Sequence, residues 1–140
     1  LKFFSDPQNL ALIGLAVAAG GMLFVTTLKG RGGAASLTSL QATQMMNHKN
    51  AVVIDVRTPE EFAGGSLVGA RNIPVEALAT RLAELSRFKG RPVIVVCQSG
   101  ARSGRAIGQF TKEGFTEVYN LAGGIGSWQS GGLPLAKSAK

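Results

Sequence analysis

With 140 residues, 45% of them hydrophobic and a net charge of +7, the chain has room for one domain and an appendage. One cysteine and one histidine exclude an intramolecular disulfide framework and a multi-cysteine metal site, and a free thiol suits a reducing compartment. The pI near 10.2 invites a nucleic-acid reading. Setting aside Lys2, Lys29, Arg31 and Asp6 lowers the remaining charge to +5, and no run of stacking aromatics accompanies the basic residues. No nucleic acid is expected; a basic rim of this size suits small anions or anionic lipid.

Leu10 to Leu28 runs nineteen residues without a charge. As a helix it would be ~28 Å long, close to the hydrocarbon thickness of a bilayer. A cleaved signal peptide would have a basic n-region and a shorter apolar core; here Lys2 is offset by Asp6 and the core is long. The segment is therefore expected to be a retained single-pass anchor. Lys29 and Arg31 beyond its C-terminal end place the following domain on the cytoplasmic side. Small residues four apart, Gly14 with Ala18 and Ala16 with Gly20, could let two such helices approach as a homodimer, although Gly and Ala are abundant in membrane helices without that role. Residues 30–33 read as a flexible tether, so the division expected is 1–33 for anchor and tether and 34–140 for the globular domain.

The domain opens with a short strand at Leu37-Thr38 and a helix capped by Ser39 and running to about Asn47, with Leu40, Met45 and Met46 toward the core. His48 follows as a surface residue. Ala51 to Ile54 is a buried strand ending in Asp55. Residues at the carboxyl ends of parallel strands line the crevice of open α/β sheets. Asp55 thus supports the site from behind, together with Arg71, or caps its own turn. Arg57 and Glu61, four apart, read as an ion pair. Val75 to Ser86 is helical in pattern, with Leu78, Leu82 and Leu85 on one face. After the central strand and its helix, Gly114 stops the helix and Val118 to Leu121 forms the last strand. Trp128 is expected in the core, and Leu133 to Lys140 as a frayed basic tail. Short apolar strands alternating with helices predict an α/β fold: a small, mostly parallel five-stranded sheet covered by helices on both faces.

The chemistry concentrates in one stretch. Pro92 to Val96 is an unbroken apolar run, the pattern of a strand buried on both faces, and Ser103 to Phe110 reads as a helix. Between them lies Cys97-Gln98-Ser99-Gly100-Ala101-Arg102-Ser103. Strand, tight loop and helix converge backbone N–H groups on one point. A thiol at that point has its pKa pulled below the usual ~8.5, because amides and a nearby guanidinium stabilise the thiolate. Cys97 is therefore the candidate nucleophile. Gln98, Ser99, Gly100, Ala101 and Ser103 form the candidate anion cradle, and Arg102 offers a planar fork of donors. Four residues separate Cys97 from Arg102. Cysteine-dependent phosphatases and arsenate reductases are disfavoured by that spacing, since a phosphatase loop carries one residue more.

The loop resembles the active-site loop of the rhodanese family, and further segments extend the resemblance. Asp55-Val56-Arg57 with Glu60-Glu61-Phe62, and Gly69-Ala70-Arg71-Asn72-Ile73-Pro74, match the family's signatures in order. Gly114-Phe115, Val118, Leu121-Ala122-Gly123-Gly124 and Trp128 follow its C-terminal pattern. Two positions depart from it: Ser66 where the family often has His, and Gln98 where many thiosulfate-using members have a cation. The resemblance implies a sulfurtransferase that carries sulfane sulfur as a persulfide on Cys97. A small sulfur-containing anion or a persulfide would be the donor, and a thiol or an acceptor protein would take the sulfur. No cofactor or metal is implied. The alternative is a non-catalytic binding module on the same fold, held at the membrane.

Overall fold

The computed structural model describes residues 35–137. The apolar segment Leu10–Leu28, its tether and its dimer face lie outside them. Among the described residues no helix is long and apolar enough to cross a membrane.

Five parallel strands make one sheet: β1 (Ala35–Leu37), β2 (Val52–Asp55), β3 (Arg71–Asn72), β4 (Val93–Val96) and β5 (Val118–Leu121). Their spatial order is β1-β5-β4-β2-β3, so β4 is the centre. The helices are α1 (Ser39–His48), α2 (Pro59–Ala63), α3 (Val75–Arg81), α4 (Ala101–Lys112) and α5 (Gly124–Ser130); a 3₁₀ helix, Leu82–Phe88, follows α3.

The two-residue period of each strand sorts its side chains into two cores. Val52, Ile54, Val93, Val95 and Cys97 share one with Leu78, Leu82, Leu85, Phe88, Ile107 and Phe110. Val53, Ile94, Val96 and Leu121 share the other with Ala42, Ile125 and Trp128. Phe110 and Phe115 meet edge to face, their centroids 5.4 Å apart. Because the central strand is buried on both faces, its only outlet is its carboxyl end, where Cys97 stands.

Local signals set most boundaries. Thr38, one residue before the expected Ser39, caps α1 in a reciprocal box with Gln41, and Thr58 does the same for α2 with Glu61. Gly114, at φ +97°, ends the turn after α4.

Several expectations are corrected. Leu40 is 68% exposed. The inward face of α1 carries Ala42, with Met45 and Met46 packed against it, and at 100° per residue Leu40 falls on the far side from Ala42. The single helix expected over Val75 to Ser86 divides into α3 and the 3₁₀ helix. Leu133 to Ala136 is not frayed. The Leu133 N–H donates to the Trp128 carbonyl at 3.2 Å, and Ala136 forms an antiparallel bridge with Ser66 at 2.7 and 2.8 Å. Trp128 lies in the core, and its Nε1–H donates to the Pro134 carbonyl at 3.0 Å. A buried indole needs such a partner, and it holds the returning segment.

Candidate active site

Strand β4 delivers Cys97 to the base of the loop, and Gly100 turns the chain into α4. Gly100 adopts φ +97°, a left-handed conformation that costs a glycine little. That turn aims its N–H at the sulfur: Gly100 N to Cys97 Sγ is 3.0 Å. From the first turn of α4, Ser103 Oγ lies 3.3 Å from the same sulfur.

The loop is braced from behind by α5. The N–H groups of Ile125 and Gly126 donate to the carbonyls of Cys97 and Gln98 at 2.9 and 3.0 Å. Gly124 makes this approach feasible, because a Cβ there would lie 2.2 Å from the Cys97 carbonyl oxygen. Turning these carbonyls toward α5 leaves the loop's N–H groups facing the sulfur.

Burial pushes the Cys97 thiol up. Hydrogen bonds to the sulfur from the Ser103 hydroxyl and from the N–H groups of Ser103, Ser99 and Gly100 outweigh it, so the thiol lies below its ordinary value. Donors on the sulfur, rather than the Arg102 guanidinium, dominate this lowering. Cys97 is also fully buried.

Arg102 does not point its fork at an open cradle. Its two terminal nitrogens bind the Glu61 carboxylate at 2.8 and 3.0 Å. The guanidinium beside it holds the Glu61 carboxyl down to about 2, against partial burial. This overturns the expected pairing of Arg57 with Glu61. Arg57 instead pairs with Asp55, Nη2 to Oδ2 at 2.8 Å, with both side chains buried. Arg57 Nη2 also donates to the Gly65 carbonyl at 2.6 Å. An i,i+4 pair requires both residues on one helix, and Arg57 precedes the Thr58 cap.

Asp55 is thus committed to Arg57, and Arg57 reaches toward the loop only through a 3.5 Å contact with Gln98 Oε1. Arg71 is not joined to Asp55. Its guanidinium stacks 5.0 Å above the Phe88 ring and lines a separate cavity with Met46, Val68 and Arg91. Gln98, Ser99 and Ala101 are exposed along the loop. Among the described residues no group of three or more His, Cys, Asp or Glu side chains is placed to hold a metal ion.

Two residues of the site were not expected there: Glu61, which the sequence paired with Arg57 instead, and Asn120, which it did not single out. Glu61 was legible as the fourth member of the Thr58 capping box, which accounts for it locally and conceals its second partner. Asn120 is a buried amide on β5 whose Oδ1 accepts from Ser103 Oγ and whose Nδ2 donates to the Gly100 carbonyl. Its one signal in the sequence was a polar residue within an otherwise apolar strand end.

Fold and site together define a class: a small α/β domain with a parallel five-stranded sheet that holds a hydrogen-bonded cysteine in the loop after its central strand. The Rhodanese-like domain family model matches residues 38–131, and the chain belongs to that family. Thiosulfate sulfurtransferase GlpE of Pseudomonas putida is 35% identical over 92 residues, covering 64% of this chain and 80% of that protein. Escherichia coli K12 YibN is 36% identical over 137 residues, covering 92% and 89%. The crystal structure of a rhodanese-related protein from Thermoplasma volcanium superposes with a TM-score of 0.67 at 27% identity, over 74% of this chain and 98% of that one.

Proposed function

We propose that the protein is a membrane-anchored sulfurtransferase that carries sulfane sulfur on Cys97. The observation that carries this reading is the pair of donors on one sulfur, the Gly100 N–H and the Ser103 hydroxyl, at the end of the central strand. The thiolate attacks the outer sulfur of the donor. The donor's S–S bond breaks, its remaining fragment leaves as sulfite or a thiolate, and Cys97 becomes a persulfide anion. An acceptor thiolate then attacks the outer sulfur, and the Cys97 thiolate is restored. Loop N–H groups stabilise the charge at both stages, an oxyanion-hole logic applied to sulfur. The lowered thiol pKa makes a separate general base unnecessary.

The electrostatics favour donors of low charge. Arg102 is neutralised by Glu61, and Gln98 adds no cation. A persulfide therefore fits the loop better than the thiosulfate dianion, which must compete with Glu61 for Arg102. The relative GlpE is a thiosulfate sulfurtransferase by name, which keeps thiosulfate among the donors to be tested.

The anchor rests on the uncharged run Leu10–Leu28 alone. The domain is placed on the cytoplasmic side by Lys29 and Arg31. The full chain should stay in the membrane pellet after alkaline carbonate extraction. Its appearance in the supernatant would remove the anchor from this reading.

A second reading, a non-catalytic module, has one observation in its favour: the complete burial of Cys97. Intact mass spectrometry after exposure to thiosulfate or a low-molecular-weight persulfide separates the two. The wild-type chain should gain one sulfur atom and Cys97→Ser none. A wild-type chain that gains nothing from either donor is the module.

A further inference from the structure

Ser103 Oγ lies 3.3 Å from Cys97 Sγ and 2.5 Å from Asn120 Oδ1. A hydroxyl has one proton to donate, so Ser103 serves one of these acceptors at a time. The orientation of Asn120 is fixed by its other end. Nδ2 donates to the Gly100 carbonyl at 3.1 Å, and a flipped amide would set two oxygens against each other there. Asn120 is held on β5, whose register sets it beside Val95 of the strand that delivers Cys97. No buried side-chain nitrogen or oxygen among the described residues lacks a hydrogen-bond partner, so any loss at Oδ1 starts from a satisfied state.

We propose that Asn120 is a positioning residue for the reacting sulfur: it holds the Ser103 proton while Cys97 is a thiol and yields it to Sγ when the thiolate forms. In the thiol, S–H donates to Ser103 Oγ and Ser103 donates to Oδ1, and every group is satisfied. On ionisation the sulfur's proton leaves to solvent, and the Ser103 O–H swings from Oδ1 to Sγ. Asn120 Oδ1 is then left without its donor, at a cost. When a persulfide forms, the charge moves to the outer sulfur and the hydroxyl can return to Asn120. Asn120 thus opposes the free thiolate and favours the states in which Sγ carries no charge, the resting thiol and the loaded persulfide.

The inference rests on Cys97 being the reacting sulfur, yet it is tested without turnover. The charged groups around the loop are Arg102 with Glu61 and Arg57 with Asp55, and they are common to every variant compared. Cys97 is the only cysteine, so the pH midpoint of iodoacetamide alkylation of the full chain, rather than its absolute rate, follows the ionisation of that sulfur. Ser103→Ala should raise the thiol pKa in the wild-type background. It should raise it by about half to one unit more in the Asn120→Leu background, where the hydroxyl has no competing acceptor, the worth of roughly one neutral hydrogen bond. In the Asn120→Ala background the acceptor is likewise gone, and the Ser103→Ala shift should again exceed that in wild type. A residue that merely braced the loop would give equal shifts in all three backgrounds, and that result overturns the proposal, as does the reverse order. If Asn120→Leu fails to fold by circular dichroism, the Asn120→Ala comparison decides alone, a shift equal to or below wild type counting against it. Graded shifts without sulfur loading would uphold the role of Asn120 and reject the transferase reading.

Discussion

Arg57 and Arg102 each clasp a carboxylate at 2.8 Å, yet they do different work. Arg57 and Asp55 have side chains 4% and 1% exposed, whereas Arg102 and Glu61 are 33% and 34% exposed. The buried guanidinium is further tied to the Gly65 carbonyl and its carboxylate to the Arg57 N–H, so neither charge has water to fall back on. The Arg102 pair is reached by solvent, so on the function proposed above an incoming anion can replace Glu61 in it. The same ion-pair chemistry is therefore structural behind the loop and exchangeable at its rim, and burial alone makes the difference.

The largest effect expected from this contrast is on stability. Arg57→Ala leaves a buried carboxylate without its partner and should cost about 3–5 kcal/mol in urea unfolding. Arg102→Ala should cost about 1 kcal/mol or less in the same measurement, because exposed pairs are worth little. Equal losses would erase the distinction between the two pairs.

Catalysis should invert that order. Arg102→Ala removes a charge-assisted contact to an anionic donor, worth ~1.5–3 kcal/mol, or roughly tenfold to a hundredfold in kcat/KM for thiosulfate. Glu61→Gln releases Arg102 from its partner and should raise thiosulfate kcat/KM by up to about tenfold, with a steeper salt dependence. A persulfide donor should respond much less to either change. A thiosulfate rate that is unmoved in Glu61→Gln would show that Arg102 shapes the loop without meeting the donor.

The smallest effect is the response to acid. The Glu61 carboxyl sits at about 2 rather than its ordinary 4.5 because Arg102 donates to it. A depressed carboxyl contributes stability that is complete above about pH 4.5 and lost as the pH falls toward 2. Solvent screening of a pair one-third exposed limits this to about 1 kcal/mol. Unfolding free energies at pH 5 and pH 2.5 should therefore differ less in Arg102→Ala than in wild type. The same difference in both would remove Arg102 as the cause of the shift.

The sequence by itself determined the parts whose cause is local. Short unbroken apolar runs wrote the central strands, and Gly114 wrote the end of α4. The run from Cys97 to Ser103 between an apolar strand and a helix located the sulfur and its N–H donors, because a strand–loop–helix turn creates that arrangement from neighbours in the chain. Tertiary structure decided everything that depended on which elements lie side by side. Glu61 is 41 residues from Arg102, and only the placement of α2 over the loop joins them. Asn120 is 17 residues beyond Ser103 and reaches it because β5 is hydrogen-bonded beside β4. Arg71 left the site for the Phe88 ring for a similar reason, since the 3₁₀ helix brings that ring within 5.0 Å of its guanidinium. A long charged side chain can reach several partners, and spacing along the chain ranks only those on the same helix or turn. Strand order and helix placement choose among the rest, and here they chose which arginine is locked and which is left to trade.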